Sequence, residues 1–597
     1  MRATYQATVK GVPQMSISED GPTPFTASQL TKLQDSGIYA SGTQLSPDAV
    51  NLAEALVATL AGSAEQPLLP AELQELVTQV QAKATIGLPR ITADDGVRLS
   101  AFTIRLKTDE PRPVVIVPAG WTPLGWTLFT YLYLRLALRG YHVLAYTPRG
   151  IGQTFPIPGG GFIDAPFTSG GTVDVAGPSD WADGSTVIDY AQQHFAPSRV
   201  AFLGESYGSG ISQLVAAHDP AGRVDAVVAL STWGDLADSL YLNETRHLAA
   251  VDALVAFTGG PEERKFDPAT RQILADFRDG TNLDEVVAWG KERSPASYVD
   301  QTNARGIPTF YSNTWHETLF PVNEAVEHFE RLTVPKHLNL WIGDHAAPEG
   351  AGLTVPGPNA PVDEALAWLD HHVLGVANEV PGWEPVKSQV MFEPTVRESR
   401  ASWADVTTST ERLYLGGAKG GQDGTLGTAP AAGWKASFTT GELTEAKAVD
   451  DLLTTGRQEW KGNPKTYATG KFDRRYLATW TSPAGARRVR GIPRVQLTVT
   501  PAGKSATLVA YLFDLAPDGT ARIITHEPLT LTEATAGQAV QVSWNLQAAA
   551  YDIAADHKLM LVINAKDKLY SDANAPLATL TVGSTTGTEA HLDLPLG

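Results

Sequence analysis

The chain has 597 residues, of which 43% are hydrophobic and 8% aromatic, and this size and composition predict about two to four domains with large buried cores. Its formal net charge of −19 argues against nucleic acid and anionic membrane surfaces as partners, because such polyanions are bound by clustered Lys and Arg. The absence of cysteine excludes disulfides, thiolate metal sites and a cysteine nucleophile.

The first residues give little information on targeting. Residues 1–20 lack the basic start and apolar segment of a secretory signal, so either the protein is intracellular or a signal has been removed. Few Lys and many Thr, Ala and Gly are typical of exported bacterial enzymes and favour export, with the cytoplasm as the alternative. We predict no membrane span, because the longest apolar candidate, residues 126–138, is broken by Arg135.

Residues 1–88 are predicted to form an N-terminal helical extension that packs against the next domain. Apolar residues recur at helical spacing in two runs, which Pro67 and Pro70 separate. The first run contains Leu52, Leu56 and Leu60, and the second contains Leu73, Leu76 and Val80.

Short apolar runs alternate with helical patterns between residues 89 and 384, and this alternation predicts βαβ units around a mainly parallel sheet. The predicted strands are 99–106, 113–117, 142–146, 200–203, 226–230, 308–312 and 338–342. Helical patterns fill the interval 233–306 without a strand directly after them. We therefore interpret residues 233–306 as a helical cap inserted over the carboxyl edge of the sheet.

The pattern changes after Pro381 to short strands separated by Gly, Pro and Asp turns. Residues 495–499 alternate apolar and polar side chains with period two, as in a strand with one buried face. Further strands are predicted at 412–415, 506–513 and 559–563. Residues 385–597 are therefore predicted to form an all-β sandwich.

A G-x-S-x-G motif, residues 204–208, lies between the predicted strand 200–203 and a helical stretch at 209–218. A serine at a sharp strand-to-helix turn is held in a strained backbone conformation and needs small residues two positions before and after it. Gly204 and Gly208 supply them. The motif predicts a nucleophile elbow with Ser206 as the nucleophile.

A serine nucleophile needs a histidine base and an acid that orients the base, and α/β-hydrolases carry them in the order Ser, acid, His. His345 follows the predicted strand 338–342 directly and is the predicted base. Glu317, in the loop after strand 308–312, is the predicted acid, with Asp344 as a competitor. His316 beside it is expected to line the pocket or to be solvated. Structural roles are predicted for the other nearby histidines, which are His328, His337, His371 and His372.

Acyl transfer also requires two N–H groups that bind the developing oxyanion. The backbone N–H of Tyr207, directly after the nucleophile, is one predicted donor. Trp121, which follows strand 113–117 and Gly120, is the second.

The sequence contains only incomplete motifs for metal and nucleotide sites, and we predict no metal and no cofactor. The pairs His316-Glu317 and His526-Glu527 are not followed by a second histidine at the spacing of a zinc motif. The segment 503–505, Gly-Lys-Ser, lacks the first glycine of a phosphate loop, because Thr498 stands there. We interpret this segment as a hairpin turn.

Five segments carry motifs of a known family: 149–154, 204–208, 368–375, 491–499 and 512–519. They resemble the CocE/NonD acyl hydrolases, a family grouped with X-prolyl dipeptidyl aminopeptidases and α-amino-acid ester hydrolases. The resemblance implies an α/β-hydrolase domain with a helical cap and a C-terminal jelly roll beside the mouth of the active site. Two positions depart from the family, which usually has Asp where Glu317 stands and often a tyrosine hydroxyl where Trp121 stands. In addition, Thr147 stands in place of the aspartate that precedes the segment 149–154 in the family.

These observations predict a serine hydrolase that cleaves carboxylic ester or amide bonds of a small-molecule ester or a short peptide. The main alternative is an X-prolyl or α-amino-acid-specific peptidase, which would hold a substrate ammonium with acidic residues. Asp235, Asp238 and Glu244 of the cap are candidates for that role. An alternative of another class is a non-catalytic protein whose jelly roll binds carbohydrate or protein.

Overall fold

The computed structural model describes residues 47–60, 69–157, 159–417 and 423–597. The prediction about a signal in residues 1–20 and the part of the predicted helical extension up to residue 46 lie outside these ranges. Within the four ranges, no helix has both the length and the apolar character that crossing a bilayer requires.

Two helices precede the first strand, at the positions that the apolar spacing predicts. They are α1 (Pro47–Leu60) and α2 (Ala71–Lys83). Leu56 and Leu60 of α1 and Leu73 and Val80 of α2 are buried in one hydrophobic cluster with side chains from the following domain. The described part of the extension therefore packs on the next domain.

The strands up to residue 400 belong to the first part of the chain. They are β1 (Ala84–Gly87), β2 (Arg90–Thr92), β3 (Arg98–Leu106), β4 (Val114–Pro118), β5 (His142–Tyr146), β6 (Thr154–Pro156), β7 (Phe162–Asp164), β8 (Val200–Glu205), β9 (Ala226–Leu230), β10 (Tyr241–Leu242), β11 (Thr245–Arg246), β12 (Thr309–Thr314), β13 (Lys336–Trp341), β14 (Val386–Gln389) and β15 (Arg397–Arg400).

Most of these strands form one sheet in the order β1-β3-β5-β4-β8-β9-β12-β13-β14-β15, with β2 beside β3. The pairs from β5 to β14 are parallel, and the outer pairs β1-β3, β3-β5 and β14-β15 are antiparallel. Strands β4, β5, β8, β9 and β12 are buried along their whole length, as expected when helices cover both faces of a parallel sheet. The remaining strands form two short hairpins, β6-β7 and β10-β11.

The helices after α2 lie in the first part of the chain, except for the last of them. They are α3 (Thr130–Arg139), α4 (Pro178–Phe195), α5 (Tyr207–His218), α6 (Leu236–Leu240), α7 (Leu248–Ala256), α8 (Glu262–Lys265), α9 (Pro268–Asp279), α10 (Leu283–Glu292), α11 (Val299–Arg305), α12 (Val322–Arg331), α13 (Gly350–Thr354), α14 (Ala360–His372) and α15 (Thr454–Trp460).

Helices α6 to α11 and the hairpin β10-β11 fill the interval between β9 and β12, where the sequence predicts a cap. The start of the cap is fixed by Glu324 of α12, which is buried. Its carboxylate accepts hydrogen bonds from the backbone N–H groups of Gly234 and Asp235, both at 2.7 Å, and from the Ser239 hydroxyl at 2.8 Å. These hydrogen bonds anchor the first residues of the cap to helix α12.

The segment 149–154 forms a second anchoring contact with the cap. The guanidinium of Arg149 forms ion pairs with Asp183 at 2.6 Å and with Asp95 at 2.9 Å, which fixes the turn after β5. Lys265 of α8 is buried and donates to the carbonyl oxygens of Gly150, at 3.0 Å, and Gly152. This segment thus has a structural role that links the sheet to the cap.

The strands after residue 400 form the C-terminal sandwich. They are β16 (Ser409–Leu415), β17 (Gly424–Gly427), β18 (Lys435–Thr439), β19 (Tyr467–Ala468), β20 (Leu477–Thr481), β21 (Arg487–Gly491), β22 (Arg494–Thr500), β23 (Ala506–Leu515), β24 (Thr520–Leu531), β25 (Val540–Asn545), β26 (Ala549–Ile553), β27 (Lys558–Asn564), β28 (Thr579–Gly583) and β29 (His591–Leu596).

These strands follow a single path, β18-β28-β22-β29-β16-β17-β20-β27-β23-β24-β19, with β21, β25 and β26 attached beside it. The prediction of a hairpin turn at 503–505 is wrong. Strand β22 pairs with β25, β28 and β29, whereas β23 pairs with β24 and β27, so this loop connects strands that do not pair with each other.

The two parts of the chain meet over a continuous hydrophobic core. One cluster of buried side chains joins Tyr311, Trp315 and Val322 from the first part to Trp480 and Leu561 from the sandwich. The first sheet also continues through β14 and β15, beyond residue 384, where the sequence predicts the domain boundary. The boundary at residue 384 stays a prediction.

Candidate active site

Ser206 lies between the last residue of β8 and the first residue of α5 in a strained backbone conformation, with φ 54° and ψ −123°. Its N–H donates to the carbonyl oxygen of Leu230 at the end of β9. Gly204 and Gly208 face each other across this turn so closely that a β-carbon on Gly204 would overlap the backbone of Gly208. A β-carbon on Gly208 would overlap the carbonyl oxygen of Pro118 at the end of β4, so the turn requires Gly204 and the approach of β4 requires Gly208.

The loops after β12 and β13 bring two further side chains to Ser206. The pairing of the two strands continues into the loops, because the N–H of Trp315 donates to the carbonyl of Trp341 at 2.9 Å and that of His316 to Gly343 at 3.2 Å. The carboxyl ends of β8, β12 and β13 lie at the same edge of the sheet. Residues distant in sequence thus converge at one edge.

Ser206, His345 and Glu317 form a continuous hydrogen-bonded chain. The Nε2 atom of His345 lies 2.7 Å from the Oγ of Ser206, and its Nδ1 lies 3.1 Å from both carboxylate oxygens of Glu317. Glu317 accepts a further hydrogen bond from the N–H of Leu319 at 3.0 Å, which fixes its carboxylate. All three members of the chain are buried. This is the arrangement in which a histidine can take a proton from a serine hydroxyl.

The electrostatics of the site stabilise a charged histidine. Burial alone would lower the pKa of His345, but the facing carboxylate of Glu317 raises it above its ordinary value, and Glu205 and Asp344 act in the same direction. An imidazolium that forms when Ser206 loses its proton is therefore stabilised by fixed negative charges.

Asp344, the competitor for the role of the acid, does not contact the imidazole ring through a hydrogen bond. Its carboxylate accepts instead from the N–H and hydroxyl of Thr318, at 2.8 and 2.9 Å, and from the N–H of Leu453 at 3.1 Å. Burial and the charge of Glu317 raise the pKa of Asp344 to about 7. Asp344 thus joins the loops that carry Glu317 and His345 to a segment of the C-terminal part.

The two predicted oxyanion donors, Tyr207 and Trp121, lie side by side, with ring centroids 4.9 Å apart. The N–H of Tyr207 belongs to the first turn of α5, where helix geometry leaves N–H groups free. The Tyr207 hydroxyl donates to Asp180 at 2.6 Å and accepts from the N–H of Ala176 at 3.1 Å, which holds the residue in place. The indole N–H of Trp121 is buried without a partner in the described part of the chain.

An apolar cavity opens beside Ser206, with Trp121 and Tyr207 in its wall. Cap helices α6, α7, α9 and α10 supply most of the lining. Among the described residues, no Asp, Glu, His, Lys or Arg side chain lines the cavity. Representative lining residues are Leu236, Leu254, Phe277, Val286 and Trp289.

A second cavity also borders Ser206, shares Trp121 and Leu254 with the first, and contains His345 in its wall. Leu453 of the C-terminal part closes one side of it. Within the described ranges, its only carboxylate is that of Glu205, the residue before the nucleophile. The site therefore has two compartments, one lined by uncharged, mainly apolar side chains and one that contains the histidine and a carboxylate.

The cap acids that the sequence marks as possible ammonium ligands line neither cavity. Asp235 accepts from the N–H of Asp238 at the start of α6 and pairs with Lys291. Asp238 also pairs with Lys291, at 2.9 Å, and Glu244 accepts from the hydroxyl of Tyr241. All three carboxylates thus have their interaction partners within the cap.

His316 neither lines the pocket nor is solvated, contrary to expectation. It is buried, with Nδ1 at 2.9 Å from the carboxylate of Glu459 and Nε2 at 3.1 Å from the carbonyl of Ile524. Both partners belong to the C-terminal part. In the described ranges, no group of three or more His, Asp or Glu side chains is arranged to hold a metal ion.

Sequence reasoning missed Glu205 and Leu453 as residues of the site. Glu205 carries a signal that could have been used, because a charge at the end of the apolar run 200–204 needs an explanation. Leu453 carries no such signal. It adopts φ 67° and reaches the site only through the packing of the C-terminal part.

Comparison with known families identifies both parts of the chain. The X-Pro dipeptidyl-peptidase (S15 family) profile matches residues 95–347, and the X-Pro dipeptidyl-peptidase C-terminal non-catalytic domain matches residues 378–594. The chain belongs to the CocE/NonD, X-Pro dipeptidyl-peptidase-like family. The resemblance inferred from the sequence is thereby confirmed, as is the fold class of an α/β-hydrolase domain with a C-terminal jelly roll.

One curated relative is a protein of Streptomyces avermitilis named as an Xaa-Pro dipeptidyl-peptidase, with 25% identity over 381 residues. The match covers 59% of this chain and 50% of the relative, so this chain spans about half the length of that protein.

Three solved structures have the same fold. A CocE/NonD family hydrolase from Staphylococcus aureus has 12% identity and a TM-score of 0.64, with 86% of this chain and 94% of that chain covered. An α-amino acid ester hydrolase has 14% identity and a TM-score of 0.64, with 90% and 99% covered. An aminopeptidase from a marine sediment Thaumarchaeota archaeon has 14% identity and a TM-score of 0.62, with 86% and 96% covered.

Proposed function

We propose that this protein is a serine hydrolase that cleaves carboxylic esters with a large apolar acyl group. Ser206 is the nucleophile, His345 the general base and acid, and Glu317 the residue that orients the histidine. The observation that carries the proposal is the chain of hydrogen bonds from Ser206 through His345 to Glu317, at 2.7 and 3.1 Å.

The reaction follows from the positions of these groups. Ser206 Oγ attacks the ester carbonyl carbon while its proton passes to Nε2 of His345, and the N–H groups of Tyr207 and Trp121 bind the oxyanion. The imidazolium then protonates the leaving alcohol as the carbon–oxygen bond breaks. Water repeats the sequence on the acyl-enzyme, with His345 as its base, and releases the acid and Ser206.

The two cavities receive the two halves of the substrate. The leaving group must lie next to the nitrogen that protonates it, and His345 lines only the second cavity of the two. The acyl group then occupies the apolar cavity, beside Trp121 and Tyr207. Since no charged side chain of the described residues lines that cavity, an acyl group with a free ammonium would lose its hydration without a compensating partner.

An X-Pro dipeptidyl aminopeptidase is the second candidate, and the match to the S15 family profile supports it. Such an enzyme accepts a substrate whose acyl half carries a free amino group. The uncharged acyl cavity and the internal pairing of Asp235 and Asp238 with Lys291 favour the esterase.

Steady-state kinetics on matched chromogenic substrates tests this choice. We expect kcat/KM for nitrophenyl esters to rise from acetyl to octanoyl, and activity on Xaa-Pro and free-amino substrates to be lower by at least about tenfold. A preference for the free-amino substrates would establish the peptidase instead.

The variant Ser206→Ala tests the nucleophile. We expect turnover to fall by about a millionfold while the circular dichroism spectrum and the unfolding temperature stay close to those of the wild type. A fluorophosphonate should label the wild type and not the variant. Retained hydrolysis by the variant would refute the assignment of Ser206, and failure of the wild type to label would favour a non-catalytic binding protein.

A further inference from the structure

Glu349 is a buried carboxylate that lies close to the triad without belonging to it. It directly precedes helix α13 and has no exposed surface. Both of its carboxylate oxygens accept hydrogen bonds from serine hydroxyls, one from Ser231 at 3.1 Å and the other from Ser312. Burial raises the pKa of Glu349, while the two hydroxyls and nearby His345 act against this. The carboxylate is thus held in one orientation between two serines.

Ser231 connects this carboxylate to the loop that carries His345. Its hydroxyl accepts the N–H of Ala346, the residue directly after His345, at 2.9 Å. Because an N–H group can only donate, the Ser231 hydroxyl proton remains available for an acceptor, and Glu349 is that acceptor. Glu349, Ser231 and Ala346 therefore form a chain of two hydrogen bonds that ends beside the base.

The backbone is strained at both ends of the hydrogen bond between Ala346 and Ser231. Ser231 has φ 43° and Ala346 has φ 57°, in the left-handed region that favours glycine. Such conformations persist only where surrounding contacts hold them. Ser231 also follows Leu230, whose carbonyl oxygen accepts the N–H of Ser206. Ser231 therefore links the backbone of the nucleophile to the backbone of the base.

Ser312 extends the network towards the third member of the triad. It lies in β12, the strand that leads into the loop of Glu317, and its hydroxyl donates to Glu349. One carboxylate thus connects the residue after β9, strand β12 and the loop after β13. Each of these segments carries or contacts a member of the triad.

We propose that Glu349 and Ser231 are positioning residues, whose hydrogen bonds hold the His345 loop so that Nε2 stays within reach of the Ser206 hydroxyl. This rests on the proposed serine hydrolase function. Neither Glu349 nor Ser231 lines either cavity, so we expect neither to contact the substrate. Breaking the chain should therefore lower kcat and leave KM nearly unchanged.

Kinetics on the variants Ser231→Ala and Glu349→Leu test the proposal. We expect each to lower both kcat for a nitrophenyl ester and the rate of Ser206 labelling by a fluorophosphonate. The loss should be about tenfold to a hundredfold, because small displacements of a catalytic group have effects of that size. The double variant should lose no more than the more affected single variant, because both substitutions break the same chain.

Glu349→Gln separates the hydrogen bond from the charge. The amide oxygen of glutamine can still accept from Ser231, while its NH₂ group can donate to the Ser312 hydroxyl. We therefore expect kcat and the labelling rate of Glu349→Gln to stay within about threefold of the wild type. A loss as large as that of Glu349→Leu would show that the charge is responsible and would refute the positioning role.

Ser482→Ala is the matched control for Ser231→Ala. The Ser482 hydroxyl is buried in the jelly roll, where it accepts the N–H of Leu559 at 3.0 Å and donates to the carbonyl of Pro483 at 2.7 Å. Its loss removes the same kind of hydrogen bonds at a place that lines neither cavity. We expect Ser482→Ala to lower the unfolding temperature and to leave kcat and the labelling rate unchanged.

A labelling rate of Ser231→Ala close to that of the wild type, or an equal loss in Ser482→Ala, would overturn the proposal. Additive losses in the double variant would also overturn it. If Glu349→Leu does not fold, the comparison of Ser231→Ala with Ser482→Ala still decides. If the wild type is labelled but hydrolyses no ester, only the proposed ester specificity fails, since the labelling rates still test the positioning role. If the wild type is not labelled, the serine hydrolase function fails and the positioning role with it.

Discussion

Glu317 and Asp344 lie on neighbouring loops, and their contacts predict different consequences of losing each charge. The Glu317 carboxylate holds the imidazole of His345 from 3.1 Å, so Glu317→Gln should lower kcat by about 10³- to 10⁴-fold with little change in fold. Asp344 contacts Thr318 and Leu453 instead, so Asp344→Asn should mainly lower the unfolding temperature.

The two variants serve as controls for each other when kcat and thermal unfolding are measured on both. If Asp344→Asn lost as much activity as Glu317→Gln without a loss of stability, the triad acid would be Asp344.

The pH dependence of the reaction follows from the raised pKa of His345. His345 must be neutral to take a proton, and below its pKa it is protonated. We therefore expect kcat/KM to rise with pH, with the midpoint of the rise above the ordinary histidine pKa of about 6.5. In Glu317→Gln the neighbouring charge is gone, and the midpoint should move to lower pH. A pH profile of kcat/KM for both proteins checks this, and a wild-type midpoint below pH 6.5 would contradict it.

At the scale of elements, the strands were predictable because strands buried on both faces give continuous apolar runs. Strands β5 and β9 begin and end at the residues that the sequence predicts. The predictions for β8 and β12 end early, because the apolar run of each strand stops before its polar last residue, Glu205 or Thr314. Local patterns thus locate the sheet and the loops after its strands.

Helix α15 of the C-terminal part could not be assigned to the site from sequence. The segment contacts the loops after β12 and β13 through Glu459, which pairs with His316, and through the N–H of Leu453, which donates to Asp344. More than a hundred residues separate the partners in each pair. No local periodicity encodes such contacts, so the positioning of the catalytic loops by the second part is visible only in the fold.

The pair His316–Glu459 is therefore expected to couple the stability of the two parts. Each single variant, His316→Gln or Glu459→Gln, leaves a buried partner poorly satisfied and should lower the free energy of unfolding by about 1–3 kcal/mol. The double variant should cost less than the sum of the two. Urea unfolding of all four proteins measures the coupling, and strict additivity would show that the pair does not act as a unit.

At the scale of the whole molecule, the hydrolase part and the jelly roll are expected to unfold together. They share one hydrophobic cluster, and Nε2 of His316 in the hydrolase part lies 3.1 Å from the carbonyl oxygen of Ile524 in the jelly roll. Leu453 and Glu459 of the jelly-roll part contact the loops after β12 and β13, so we expect the arrangement of these loops to be lost when the jelly roll unfolds. We expect a single calorimetric transition that coincides with the loss of activity.

The variant Leu561→Ala tests this coupling from a distance. Leu561 is fully buried in β27 of the jelly roll, and its truncation should cost about 2–5 kcal/mol. The midpoint temperatures of inactivation and of unfolding should fall by the same amount, because the substituted side chain lies in the core that both parts share. Leu443→Ala, at a position 57% exposed, should leave both temperatures unchanged. If Leu561→Ala split the transition, with activity surviving the first step, the two parts would be independent folding units.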